Sequence, residues 1–318
     1  MLTVLLSACA TLQPVSIDSD GLPNQAHISD LTYFPQPQYY CGPASLATLL
    51  KQRGIDTDPE RLAPRVYLPG KRGSLQVELI AQTRQHQLLA YLLQPTLKAV
   101  LMEINAGNPV LVMQNLGFSW WPQWHYAVAT GYDLKHNTLE LSSGNQHHYT
   151  MPLALFAKTW RRAGNWALIA LPPTRLPASA DALTYLSAVN DLEQVGLLET
   201  AQAGYQTALQ HWPDNAGALL GLGNTSLALE QPDQAQIYFR KLTRQFPHLP
   251  AGWNNLAYAL QKSGCPHEAL SAAECAVKVA VDEKTYRETL AEMQAITNSV
   301  ENPHRCKPIT CLKSGINE

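Results

Sequence analysis

The C-terminal half of the chain repeats with a period of 34 residues, and this constrains its fold more than any other feature. Ala201, Ala235 and Ala269 keep that spacing, as do Tyr205, Phe239 and Ala273. Pro213 and Pro247 follow it too, with Leu222 and Leu256, and Leu219 and Trp253. A small residue followed four positions later by a large one lies on one helix face. The small side chain lets two helices approach closely, and the large one fills the space between neighbouring pairs. Such a unit cannot bury its apolar face alone, so stacking makes the core and three units are the minimum. Residues 182–282 therefore read as three helix pairs, and 283–318 as a terminal helix and polar tail.

At 318 residues the chain has room for two domains, and a 46% hydrophobic, 15% charged composition describes globular folding rather than disorder. A net charge of −2 provides no electrostatic footprint for nucleic acid, and none is expected as a partner. No apolar run is long enough for a membrane-spanning helix. The N-terminus nevertheless carries an address. Met1–Leu6 is apolar and leads into Leu6-Ser7-Ala8-Cys9, which resembles a lipobox. That resemblance implies a diacylglycerol on Cys9, a lipid-anchored protein in a bacterial envelope, and a periplasm-facing orientation. Ala10, rather than an acidic residue, favours the outer membrane. No Lys or Arg precedes the short apolar segment. Gln13, Pro14, Ser16, Asp18 and Asp20 follow as a solvated tether, so residues 1–28 are read as signal and tether.

Six cysteines need roles in an oxidising compartment. Cys9 is the lipidation candidate and Cys41 a candidate nucleophile. Cys265 and Cys275 fall in the repeats, and Cys306 and Cys311 could close a small loop around Pro308. No spacing of Cys or His matches a zinc site, so neither metal nor cofactor is expected.

Residues 29–172 read as a mixed domain. Helices are expected over Cys41–Arg53, Leu75–Gln85 and Leu97–Ala106, from apolar residues at helical spacing and closing glycines at 54 and 107. The period then changes. Pro109–Met113, His125–Asp133, Thr138–Ser142 and Trp166–Leu171 read as strands. Helices followed by an antiparallel-looking sheet define an α+β domain. A proline-rich linker, extended and semi-rigid, covers 173–181.

The segment Tyr39-Tyr40-Cys41-Gly42-Pro43-Ala44 carries the chemistry. A cysteine opening a helix meets free N–H groups and the positive end of the dipole, which favour a thiolate. Gly42 removes bulk beside the sulfur, and Pro43 suits a first turn that needs no amide hydrogen. An upstream glutamine can donate to a developing oxyanion. Gln36 and Gln38 both qualify. His125, at the start of a strand, is the base candidate. His86, His136, His147 and His148 fit solvated faces. Trp120-Trp121-Pro122-Gln123-Trp124 reads equally as a substrate-binding wall or a packed cap.

The pattern of Gln36, Cys41-Gly42-Pro43-Ala44 and a later His125 strand ending Gly131-Tyr132-Asp133 resembles the family-39 cysteine peptidases. These are papain-like enzymes that remove double-glycine leaders in bacteriocin export. The 34-residue units resemble tetratricopeptide repeats, and the combination resembles a lipoprotein branch of that peptidase family. The resemblance implies a papain-like cysteine peptidase domain over 29–172 and three repeats over 182–282. It assigns Cys41 as nucleophile, His125 as general base and then acid, and Gln36 as oxyanion donor with the Cys41 N–H. Trp160 and the strand at 166–171 match the family's closing elements. Family members orient the histidine with an aspartate, but here that place holds Leu141-Ser142-Ser143-Gly144-Asn145. Ser142 or Asn145 is expected to take that role as a neutral partner.

The expected activity is cleavage of a peptide or protein substrate, with the repeats recruiting a protein partner. Two alternatives differ in class. One is an inactive peptidase-like adaptor that binds peptides, motivated by the absent carboxylate. The other is a thiol amidase acting on peptidoglycan stems.

Overall fold

The computed structural model describes residues 19–35, 39–299 and 306–311. These divide into two compact units, one drawn from 1–172 with 177–181 and the other from 173–176 with 182–318. Cys9, Gln36 and Gln38 lie outside the described residues.

In chain order the first unit contains β1 (Gln25–His27), α1 (Cys41–Lys51), α2 (Pro59–Val66), α3 (Gln76–Gln85), β2 (Leu89–Leu92) and α4 (Leu97–Asn105). There follow β3 (Val110–Asn115), β4 (Trp124–Asp133), β5 (Thr138–Ser143), β6 (Gln146–Pro152), α5 (Leu153–Arg161) and β7 (Ala167–Leu171). All pairings are antiparallel, in the order β2-β7-β3-β4-β5-β6, and β1 adds to β4 beyond the end of β3. The fold is the α+β domain expected from the sequence, with helices first and the sheet after them.

Five elements escape the periodicity. Helix α2 is capped by Asp58, whose carboxylate accepts the Arg61 N–H, yet Pro64 sits inside it and reads as a breaker. Strand β6 is a polar run, QHHYTMP, exposed along most of its length. As an edge strand it has little apolar alternation to detect. His147 and His148 therefore lie on a strand. Strands β1 and β2 are short, and α5 follows β6 without a break.

Helix α1 explains how the sequence fixes the position of Cys41. Every residue from Gly42 to Leu50 is buried. Leu46, Leu49 and Leu50 pack with Leu111, Tyr126, Val128 and Leu168 of the sheet. Burying a leucine side chain stabilises by roughly 1.5–3 kcal/mol, so this helix is held by its whole length and its N-terminus is fixed against the sheet.

The expected linker is not free throughout. Glu103 on α4 is fully buried, and its carboxylate accepts from the Ser179 N–H at 2.7 Å, the Ser179 hydroxyl at 2.6 Å and Asn108 Nδ2 at 2.7 Å. A buried carboxylate requires such donors, and this one draws Pro177–Asp181 onto the first unit.

The second unit is helical: α6 (Ala182–Gln194), α7 (Leu198–His211), α8 (Ala216–Ala228), α9 (Pro232–Gln245), α10 (Pro250–Lys262), α11 (Pro266–Val279) and α12 (Lys284–Thr297). Helices α6, α8, α10 and α12 start 34 residues apart, and so do α7, α9 and α11. Ala201, Ala235 and Ala269 have no exposed surface. The rings of Tyr205 on α7 and Phe239 on α9 lie where Gly221 and Gly223 leave no room for a Cβ, so the large residues of both flanking helices fill notches on α8.

Disulfides join Cys265 to Cys306 and Cys275 to Cys311, with Cα separations of 5.8 and 5.4 Å. The tail cysteines do not pair with each other, contrary to the small loop the sequence allows. The reason is geometric. Ten residues of helix rise about 15 Å and five extended residues span about 16 Å, so Cys306 and Cys311 match the spacing of Cys265 and Cys275.

Candidate active site

Cys41 is the first residue of α1 and the only free cysteine among the described residues. Tyr40 precedes it without a side-chain cap, so the first-turn N–H groups are left for other acceptors. Tyr39 adopts φ 73°, a left-handed conformation that a bulky residue holds only under constraint. Gly42 is required sterically, because a Cβ there would collide with the Ser74 side chain.

The environment of the sulfur differs from the one expected. Burial pushes the Cys41 thiol above its ordinary value, while hydrogen bonds from the backbone N–H groups of Tyr126, Gly42 and Cys41 itself pull it down by less. Desolvation therefore outweighs the helix terminus, and the resting group is a thiol rather than a thiolate. Burial also lowers His125, which keeps its imidazole neutral near pH 7. Both groups are therefore uncharged at rest near pH 7.

Cys41 and His125 open onto one cleft of about 700 Å³, together with Tyr39, Ser74, Gln123 and Trp124. His125 Nε2 lies 2.7 Å from Ser143 Oγ. That contact occupies one ring nitrogen, and the ring itself borders the cleft that Cys41 opens onto. The partner is Ser143, not Ser142 or Asn145. Successive strand side chains point to opposite faces, so Ser142 turns away and donates to the His147 carbonyl at 3.0 Å. Asn145 is exposed in the two-residue turn joining β5 to β6. Counting from His125 could not separate the two serines. The pairing shifts register once between Ala129 and Gly131 and again between Leu141 and Ser143.

Tyr126 and Ser74 were not legible as site residues. The Tyr126 hydroxyl donates to the Ser74 carbonyl at 3.3 Å, and burial, then repulsion from the thiolate that Cys41 becomes at high pH, raises its pKa. The Ser74 hydroxyl is buried and unpaired at the cleft wall.

The tryptophan segment is ordered by one side chain. Buried Asn115 accepts from the N–H groups of Gly117 and Gln123 at 3.0 and 2.9 Å, and Phe118 and Trp121 exchange backbone hydrogen bonds. Trp120 and Trp121 are 77% and 65% exposed, which removes the packed-cap reading. Trp124 lines the cleft itself.

Residues 28–168 match the model of the Peptidase_C39 like family. The first unit is a C39-like peptidase domain. Residues 192–272 match the tetratricopeptide repeat model, so the second unit consists of such repeats. Among solved structures, a protein described as a C39-like peptidase from Bacillus anthracis shares 17% identity and a TM-score of 0.40, over 47% of this chain and 98% of that one. The Sgt2 tetratricopeptide domain from Aspergillus fumigatus shares 16% identity and a TM-score of 0.36, over 42% of this chain and 91% of its own. The first such domain of Spaghetti (RPAP3), solved with an HSP90 peptide, shares 13% identity and a TM-score of 0.36, over 37% of this chain and 93% of its own. No curated protein matches the chain. The neutral hydroxyl beside His125 is the C39-like domain's main departure from the aspartate that the sequence resemblance implies.

Proposed function

We propose that the C39-like domain is a thiol peptidase acting on an extended peptide or protein segment. The observation that carries this reading is the convergence of Cys41 and His125 on one cleft, with Ser143 on the far ring nitrogen. The thiol proton passes to His125 Nδ1 as sulfur attacks the carbonyl carbon. Nε2–H donates to Ser143 throughout, which holds the ring and stabilises the imidazolium. The imidazolium then protonates the leaving amine, and a water activated by the restored imidazole hydrolyses the thioester. Starting from a neutral pair, the proton moves during attack rather than beforehand. Gln36, with Gln38 as the alternative, is proposed as oxyanion donor beside the Cys41 N–H. The exposed aromatic turn and Trp124 offer an apolar wall for the substrate.

The repeats are proposed to recruit a protein partner, and lipid on Cys9 to hold the chain in the envelope, facing the periplasm, in the outer membrane. Replacing Cys9 with Ser should move the protein to the soluble fraction; unchanged fractionation refutes the anchor. A second reading, a peptide-binding adaptor without turnover, is favoured by two observations: the raised thiol and the lack of a carboxylate at Ser143. A peptide library separates them. Turnover by wild type but not by Cys41→Ala, at equal melting temperature, supports the peptidase. Binding by both with cleavage by neither supports the adaptor.

A further inference from the structure

A second cluster lies on the same sheet, outside the cysteine cleft. His27 on β1, Glu140 on β5 and His148 on β6 point to one face, and their ligand atoms all fall within 4.8 Å of one another. His148 Nδ1 is 2.8 Å from Glu140 Oε1, and His27 Nδ1 is 3.3 Å from the same oxygen. Their distance along the chain hides them from any reading of spacing, which is why the sequence suggested no metal.

The strand between β1 and β5 makes the meeting possible. Gly131 of β4 pairs with His27 on one side and Glu140 on the other. A Cβ at Gly131 would lie 3.1 Å from His27 Nδ1 and 3.4 Å from the Glu140 Cβ, so the missing side chain is the space across which the two residues reach. The register shift at Thr130 turns its hydroxyl to the same carboxylate oxygen, at 3.2 Å. A hydroxyl on a ligating carboxylate is the kind of support that orients metal ligands. His27 and Glu140 line an open cavity of about 520 Å³.

We propose that His27 Nδ1, His148 Nδ1 and Glu140 Oε1 bind one zinc-class divalent ion. Two imidazoles and a carboxylate are a borderline donor set suited to Zn²⁺ rather than to Mg²⁺ or Ca²⁺, and three protein ligands leave a fourth position for water. Ligand atoms around a tetrahedral ion at about 2.0–2.1 Å stand a little over 3 Å apart, close to the two histidine–carboxylate separations of 2.8 and 3.3 Å. The ion would tie the short strand β1, which pairs with β4, to β5 and β6. Another cluster among the described residues, Cys265, Glu268 and Cys306, has its two cysteines joined to each other in a disulfide and is unsuited to the role.

The test uses the full chain carrying Cys41→Ala, which removes the cleft thiol as a competing ligand. Zn²⁺ is titrated against a chromophoric chelator, and Co²⁺ is added separately for its visible absorption. One ion per chain is expected, with affinity falling about tenfold to 100-fold or more in both His148→Ala and Glu140→Gln. The Co²⁺ band should change intensity or vanish in the same variants, with unchanged circular dichroism. Equal zinc affinity in parent and variants, or no stoichiometric binding, overturns the site.

Discussion

Replacing Ser143 with Ala removes the hydroxyl 2.7 Å from His125 Nε2 while leaving the cleft residues in place. A partly buried hydrogen bond contributes about 0.5–1.5 kcal/mol net. If that stabilisation is expressed as the imidazolium forms, it corresponds to a rate loss of about twofold to tenfold, at 1.36 kcal/mol per decade. The assay is the second-order rate of labelling by a peptidyl vinyl sulfone, which needs the same attack as cleavage and no known substrate. Ser142→Ala is the control. Its hydroxyl donates to a backbone carbonyl on the opposite face, so the labelling rate should hold. The lost bond should instead lower the melting temperature by roughly 2–4 °C for about 1 kcal/mol. Ser143→Asp should act in the other direction, because a charge-assisted bond to imidazolium is stronger than a neutral one. Wild-type labelling in Ser143→Ala, or an equal loss in Ser142→Ala, refutes the assignment.

Alkylation of Cys41 by iodoacetamide should be slow at about pH 7 and rise only through pH values above the thiol's ordinary 9.0, because burial disfavours the thiolate; a plateau already present below neutrality would indicate a preformed ion pair. Cleavage needs neutral His125, whose folded value lies below 6.5, so the acid limb of the rate profile should fall below 6.5 and not above it. Reduction should destabilise the repeat unit substantially: chain separations of 41 and 36 residues give about 4 kcal/mol per bridge by loop entropy alone. Denaturation with and without reductant measures the loss, and a peptide map showing Cys306 joined to Cys311 would contradict the pairing.

How much was legible in the sequence follows from how local each signal is. The repeats were readable because one 34-residue register is imposed on every helix start, so small and large residues recur in phase. Helix α1 and strand β4 were readable because their apolar runs are buried along nearly their full length. Polar β6 gave no such signal, and with it went the placement of His147 and His148. Ser143 was lost to two register shifts that break the count between strands. Desolvation of Cys41 depends on packing from β4, a contact at a sequence distance that no local motif encodes, so the helix-tip argument alone leaves out the burial that opposes it. The cysteine pairing depended on a tail lying alongside α11.

Labelling the intact protein with the vinyl sulfone probe and mapping the modified residue by mass tests the thiol–imidazole pair most directly. Cys41 alone should carry the label in wild type, and His125→Ala should lose most of it at unchanged fold. A label on another residue, or equal labelling of Cys41 without the imidazole, would contradict the pairing of these two groups.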